Sequence, residues 1–493
     1  MLWQKTGSAK FRILFSITLA IVLFIDIVPN PWQFFPETST NLLHCYRQIA
    51  PYSASERPPV IVIPGFIGSS LANLSHEILW GTFDLTSDFT QFALQLEADL
   101  ATQQDELIPE QVLPSFKMNL FGWQFEQDMY RQMLHALETI GGHCHSTMNS
   151  TAKAEETNDT CFQFPYDWRQ DNVKNAQRLY RFILEKQSYL RQKYPEKYGV
   201  NHADIKFDIV AHSMGGLLTR YFLRYGDRDL PENGELPSVT WEGARYVNRA
   251  ILIAPPNAGS LDSFSNLIYG TALYSPDPVS EPISALGVWA GRNGFGPANV
   301  YSTRVVSGTF PSTYQMLPHG NYQQVIVSGI NESKPVDNLF DIEVWEKMQW
   351  GLLSPVADST LKHLLPNVSN PVERRRAAWN SMQKYLKRAE QFTRSLDQPA
   401  ISPQGLDLEL IAGDGLSTPQ IIEINRTNQV KVIQTTLGDG IVTKDSALLN
   451  EEISEKQPSR LQSSISWSKT NFYTQNHLRL VQNASLIKDL LSS

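Results

Sequence analysis

Residues 205–225 read IKFDIVAHSMGGLLTRYFLRY. The stretch opens with Ile205, Phe207, Ile209 and Val210, an apolar run dense in β-branched and aromatic side chains, which predicts a buried strand. It closes with Leu217, Leu218, Tyr221, Phe222 and Tyr225, spaced as one face of a helix that Gly226 can terminate. Between them stands Ala211-His212-Ser213-Met214-Gly215, a G-x-S-x-G pattern with alanine in the leading position. A serine on a sharp strand-to-helix turn is lifted out of its own backbone hydrogen bonding, and the helix N-terminus behind it favours negative charge. Small residues at 211 and 215 let the arms of the turn approach. Small-x-Ser-x-Gly alone is common and also describes an ordinary buried turn serine. Between a buried strand and an amphipathic helix it nominates Ser213 as a nucleophile.

Upstream, Val60-Ile61-Val62-Ile63 reads as a parallel-sheet strand and runs into Pro64-Gly65-Phe66-Ile67-Gly68-Ser69. Such a loop either makes a tight strand exit or points backbone N–H groups at a ligand oxygen. In serine acyl transfer an oxyanion needs two donors, and the candidates are the backbones of Phe66 and Met214, the latter following the nucleophile. Next come a predicted helix over 123–140 with Met129, Met133, Leu137 and Ile140 on one face, and a strand over 161–164. The cluster Pro165-Tyr166-Asp167-Trp168-Arg169 precedes a second helix over 173–194. A strand over 245–254 exits into Pro255-Pro256-Asn257-Ala258-Gly259-Ser260. Alternating strands and helices predict βαβ units, hence an α/β fold with a mostly parallel sheet flanked by helices.

The rhythm lapses over 261–400, where aromatics accumulate: Phe264, Tyr269, Tyr274, Trp289, Phe295, Tyr314, Trp345 and Trp350. This predicts a cap inserted over the catalytic face, with 57–260 and 401–493 forming the core. Within it, 373–396 predicts an amphipathic helix striped by Trp379, Met382, Leu386, Ala389 and Phe392 and carrying several arginines and lysines. Such a stripe packs on a core with its charges solvated, or rests on an anionic membrane. A strand over 406–411 enters Ala412-Gly413-Asp414-Gly415, a hairpin-like pair follows over 421–434, and Gly438-Asp439-Gly440 comes after. Two aspartates thus compete as the triad acid. Asp414 adjoins the strand, but Asp439 has Val442 three residues on to anchor its loop, which favours Asp439. The base should follow the acid. His477 is the single histidine after residue 439. His212, beside the nucleophile, is expected to hydrogen-bond structurally, and His202, His319 and His363 have no local context that recommends them.

The chain has 493 residues, 42% hydrophobic and 19% charged, a globular composition, and its net charge of -8 argues against nucleic acid as a partner. Lys5, Lys10 and Arg12 precede an apolar run over 13–28, ended by Pro29 and Pro31. A basic head before an apolar segment predicts a signal peptide or signal-anchor over 1–30, with the body extracytoplasmic. Cys144 and Cys161 bracket a polar segment with glycosylation-type triplets at Asn149 and Asn158, and could pair in an exported body, leaving Cys45. His143-Cys144-His145 are adjacent residues that cannot all face one metal ion. No cofactor is implied.

Together VIVIPGFIGSSL, FPYDWR, AHSMGG, APPNAGS, GDGIVTKDS and NHLRL resemble the lecithin:cholesterol acyltransferase family, which also holds phospholipid:diacylglycerol acyltransferases and lysosomal phospholipases. The resemblance covers roughly 58–260 and 405–480. It implies an α/β-hydrolase fold with a cap, and acyl transfer from a lipid ester through a serine at a membrane or lipid-particle surface. Ser213, Asp439 and His477 match its triad, and Phe66 and Met214 its oxyanion hole. Ala211 departs from the usual glycine, and Gly440-Ile441 from the more frequent Gly-Thr; the cap matches poorly. Three functions compete: a lipid O-acyltransferase, a lipase or phospholipase using water, and a non-catalytic binding protein on the same fold.

Overall fold

The computed structural model describes residues 58–483 apart from 85–86, 101–105, 121–122, 141–144, 147–159, 200, 202–203, 271–299, 329–332, 426–427 and 450–464. The predicted signal or anchor segment, Cys45, Cys144, His202, Tyr274, Trp289 and Phe295 lie outside the described residues.

The central sheet has seven strands: β1 (Val60–Ile63), β2 (His145–Ser146), β3 (Cys161–Gln163), β4 (Phe207–His212), β5 (Val247–Ile253), β6 (Asp407–Gly413) and β7 (Lys469–Tyr473). They lie in the order β7-β6-β5-β4-β1-β3-β2, and every pairing is parallel. This is an α/β-hydrolase core: a parallel sheet flanked by helices, with the serine elbow leaving a central strand. β1 and β4 are buried throughout, as strands covered on both faces must be. Register brings their ends into line: Ile63 pairs with Ala211, His212 with Ile253, Ile253 with Ile411, and Gly413 with Tyr473. The loops leaving β1, β4, β5, β6 and β7 therefore all emerge at one edge. Phe66, Ser213 and His477 lie just past β1, β4 and β7, whereas Asp439 follows the strand Val430–Gly438 of another sheet and is brought against Gly413 at the end of β6.

On one face Ile61, Ile63, Phe207, Ile209, Ala211, Ala250 and Leu252 form a core with α2 (Asn172–Tyr198) and α3 (Met214–Tyr225). α2 starts where the Asp171 carboxylate accepts from the Val173 N–H, and α3 stops at Gly226, whose φ is 62°. The amphipathic reading of α3 understates its burial, because all of its residues are buried. The cause lies far along the chain. Helix α4 (Pro371–Leu396) crosses α3, stacking Phe392 on Tyr221 with ring centroids 5.6 Å apart, while Leu396 and Ser395 carbonyls accept from Arg220 and Tyr225.

Two expectations change. The helix expected over 123–140 begins only at α1 (Arg131–Ile140), and Trp123–Asp128 is a strand antiparallel to Ser115–Leu120. Trp123 and Phe125 alternate with Gln124 and Glu126 at period two, a pattern that a nearby partner strand turns into a hairpin. The segment expected as a cap over 261–400 also pairs with strands beyond residue 400. Its sheet joins Ser333–Pro335 and Gln324–Ser328 to the later strands Leu416–Ile424 and Val430–Gly438, the hairpin expected near 421–434.

The cap encloses its own aromatic core, in which Phe264, Trp345 and Trp350 meet at centroid distances of 5.2 to 5.8 Å. α4 serves both cores, giving Met382, Tyr385, Leu386 and Ala389 to the cap and Phe392 and Leu396 to the sheet side. Its stripe is packed rather than free to lie on a membrane. Several of its cations are paired rather than solvated: Arg374 forks onto Asp358, and Arg388 binds Asp171 and Asp229. Among the described residues no helix is long and apolar enough to cross a membrane.

His319 acquires a role that its local sequence did not suggest. Its Nδ1 lies 3.1 Å from the Leu317 carbonyl and its Nε2 3.1 Å from Asp397 Oδ2. Both partners only accept, so the ring carries both protons. Burial opposes that charge, but the Asp397 hydrogen bond and charge and the Leu317 carbonyl outweigh burial and nearby Arg220, so the pKa is raised from 6.5. A raised folded pKa contributes stability that is complete below the unfolded value and is lost as pH rises through the folded one. Wild type should therefore lose melting temperature relative to His319→Gln as pH rises above about 6.5. Thermal melts of the two proteins check this, and parallel pH profiles would refute it.

Candidate active site

Ser213 takes φ 54° and ψ −125° at the join of β4 and α3, a left-handed-side conformation costly for a residue with a Cβ. The turn is held by its own backbone. The Ser213 N–H donates to the Ile253 carbonyl at 2.7 Å, and the Ser213 carbonyl accepts from Gly216 at 2.8 Å. The backbone is thus hydrogen-bonded after all, and it is the hydroxyl that is spared. Although Ser213 occupies the N-cap position of α3, its side chain makes no capping bond. The glycines here allow a third element to close in. A Cβ on Gly215 would lie 2.4 Å from the Pro64 carbonyl oxygen, and one on Gly65 would lie 2.8 Å from Ser213 Cβ. Smallness at 215 thus admits the β1-exit loop more than the other arm of the elbow.

His477 comes from the loop after β7, with Nε2 2.9 Å from Ser213 Oγ and Nδ1 2.7 Å from Asp439 Oδ2. A carboxylate only accepts, so Nδ1 holds the proton and Nε2 offers its lone pair to the hydroxyl. Asp439 is 1% exposed. Its Oδ1 accepts from the N–H groups of Ile441 and Val442 at 2.9 and 2.7 Å, and its carbonyl accepts from the His477 N–H at 3.0 Å. Val442 is buried with Leu410, Ala412 and Ala447, beneath the loop as its spacing suggested. Asp414 stands apart: its partner is Lys444, 3.5 Å away, and its side chain is 30% exposed.

The β1-exit loop carries Phe66 next to Gly65, which lies against Ser213, and Met214 opens α3, where the first N–H groups have no intrahelical acceptor. The Pro-Tyr-Asp-Trp-Arg cluster supports this loop from below. Tyr166 Oη donates to the Pro64 carbonyl at 3.0 Å, Trp168 Nε1 donates to Ser69 at 3.1 Å, and the Trp168 ring meets Phe66 edge-on at 5.2 Å. Arg169 forks onto Asp167 at 2.8 and 2.9 Å, both side chains almost wholly buried, and reaches the Phe92 carbonyl. The loop after β5 does the same for the segment that follows Asp439. Asn257 Nδ2 donates to Ala447, Ser260 Oγ to Ile441, and Ser446 Oγ bridges the Ala258 N–H and the Gly259 carbonyl.

His212 turns to Tyr130 and to the His477 backbone, with Nδ1 2.7 Å from Tyr130 Oη and Nε2 3.1 Å from the His477 carbonyl. Burial, and then the neighbouring His477, push its pKa well below 6.5, so its ring is neutral. Sequence reading missed Tyr130 and also Thr418, whose hydroxyl accepts from the Gly440 N–H at 2.9 Å. Neither has a local motif to mark it. Of His143-Cys144-His145, the first two lie outside the described residues, and among the described residues no cluster of three His, Cys, Asp or Glu is arranged to hold a metal.

Residues 145–279 match the family model described as lecithin:cholesterol acyltransferase. No curated protein sequence matches the chain significantly. Similar solved structures include the crystal structure of the Tle4-Tli4 complex, at 13% identity and TM-score 0.49, covering 88% of this chain and 97% of that one. Lipase 1 from Pelosinus fermentans covers 88% and 97% at 14% identity and TM-score 0.32. EstA from Clostridium botulinum covers 92% and 96% at 11% identity and TM-score 0.28. At such identities and scores these likenesses add nothing to the fold already defined by strand order and register.

Proposed function

We infer the function from the match of residues 145–279 to the lecithin:cholesterol acyltransferase family model: this is a lipid acyl-handling enzyme of the α/β-hydrolase fold, and Ser213 moves a fatty acyl group from a lipid ester to an alcohol. The observation that carries the serine assignment is the pair of contacts at 2.9 and 2.7 Å linking Ser213, His477 and Asp439. His477 Nε2 takes the proton as Ser213 Oγ attacks the ester carbonyl. The Phe66 and Met214 N–H groups receive the oxyanion, and the imidazolium formed beside Asp439 returns its proton to the leaving alcohol. In the second half an acceptor alcohol gives its proton to His477 and attacks the acyl-enzyme, and His477 passes that proton to the departing Ser213 Oγ, which yields a new ester and free Ser213. Water in the acceptor's place yields a fatty acid, so the triad is common to transferase and hydrolase.

The family supports the alcohol. A purified enzyme given labelled phospholipid with and without a long-chain alcohol or sterol is expected to form the labelled ester of the acceptor. Free fatty acid alone, under every acceptor tried, would leave a phospholipase. A labelled fluorophosphonate separates both from a non-catalytic binding protein, since an enzyme of this kind is modified at Ser213. The basic head and apolar run over 1–30 support an extracytoplasmic enzyme working at a membrane or lipid-particle surface, which cell fractionation with protease protection tests.

A further inference from the structure

The peptide joining Pro64 to Gly65 is gripped from both sides by buried tyrosines. Tyr166 Oη donates to its carbonyl at 3.0 Å, and its N–H donates to Tyr130 Oη at 2.8 Å. Because a peptide unit is planar, this grip fixes that unit as a whole, and the next N–H along the chain, one residue past Gly65, is that of Phe66. From Tyr130 the contacts continue through His212 Nδ1 at 2.7 Å, and from His212 Nε2 to the His477 carbonyl at 3.1 Å. The direction of every bond is determined. A carbonyl only accepts, so His212 Nε2 carries a proton; the neutral ring then presents a bare Nδ1, and Tyr130 must donate to it. Burial keeps Tyr130 protonated and His212 uncharged, in accord with that order. A second tie holds the same pieces together, because the Gln482 amide beyond His477 donates to the Asp128 carbonyl, two residues before Tyr130, at 2.9 Å.

We propose that Tyr130 and His212 are positioning residues for acyl transfer: three directed hydrogen bonds, Gly65 to Tyr130 to His212 to His477, hold the oxyanion loop and the catalytic base in mutual register about Ser213. The inference rests on the serine reading above. Tyr130 touches neither substrate nor Ser213 Oγ in this scheme and acts through the loop it holds. Phenylalanine at 130 keeps the ring but leaves the Gly65 N–H without its acceptor and His212 Nδ1 without its donor. Glutamine at 212 keeps an amide N–H within reach of the His477 carbonyl, whereas leucine keeps bulk alone.

The test uses the full-length protein, a short-chain p-nitrophenyl ester, and titration with a fluorophosphonate. Tyr130→Phe is expected to lower kcat by about 10- to 100-fold with KM within about twofold, while the end-point of labelling stays stoichiometric. His212→Gln is expected to keep at least about fivefold more kcat than His212→Leu. A Tyr130→Phe enzyme with kcat within about twofold of wild type overturns the proposal, as does equal impairment by Gln and Leu at 212. Should Tyr130→Phe fail to fold, the comparison at 212 decides alone. Ser213→Ala separates the two layers. If it remains active, the serine reading falls and this inference with it; if it is inactive while Tyr130→Phe is unimpaired, only this inference falls.

Discussion

Ser213→Ala is expected to lose at least about 10⁴-fold in turnover, for transfer to an alcohol and for hydrolysis alike, while unfolding within about 1 kcal/mol of wild type. The two halves of that expectation come from different features of one residue. In the proposed mechanism the hydroxyl is the group that becomes acylated, so nothing replaces it, and removing His477 or Asp439 as well should add little if the three act as a unit. The fold depends on the Ser213 backbone, whose N–H and carbonyl bonds to Ile253 and Gly216 survive the change. The side chain makes no capping bond to α3, so its removal costs the helix no cap. Turnover of labelled phospholipid and thermal or urea unfolding measure the two halves separately. Residual turnover above about 1% of wild type would sink the acyl-enzyme reading.

Asp439→Asn should cost about 10³- to 10⁴-fold in kcat, and Asp414→Asn less than about threefold. An asparagine at 439 can turn its amide toward His477 Nδ1 and donate there. That drives the imidazole proton to Nε2, which then faces Ser213 Oγ with an N–H instead of a lone pair. The backbone bonds to Ile441 and Val442 need an acceptor, and the amide oxygen still supplies one, so the loop itself should hold. Asp414 faces Lys444 at 3.5 Å in a half-exposed pair, an arrangement worth at most about 1 kcal/mol. Steady-state kinetics on both variants decide between the aspartates. A larger loss from Asp414→Asn would reverse the assignment of the acid.

Much of the catalytic face could be read from local pattern, and the departures have a common origin. Residues 205–225 announce a strand, an elbow and a helix because each signal is carried by neighbours within a few positions. Val442, three residues away, favoured Asp439 over Asp414, and His477 stood out as the single histidine after residue 439. Periodicity, however, shows the side of an element that wants to be buried, not what arrives from elsewhere to cover the rest. α3 looked half-exposed because α4, which shields Tyr221 and Tyr225, begins roughly 150 residues later. Trp123–Asp128 looked helical because its pairing with Ser115–Leu120 is decided between segments. The segment expected as a cap pairs beyond residue 400 because Gln324–Ser328 meets Leu416–Ile424 across almost a hundred residues.

Sequence alone determined the chemistry on offer: a serine where sheet turns to helix, an aspartate on an anchored glycine loop, one histidine behind it, and a parallel α/β scaffold to carry them. Tertiary structure decided which groups meet. It aligned five strand ends at one edge, set His319 between the Leu317 carbonyl and Asp397, and joined Tyr130, His212 and His477 through contacts between residues up to 265 apart. Hydrogen-bond direction and burial belong to the folded neighbourhood of an atom, and that neighbourhood is assembled from parts of the chain that no local pattern relates.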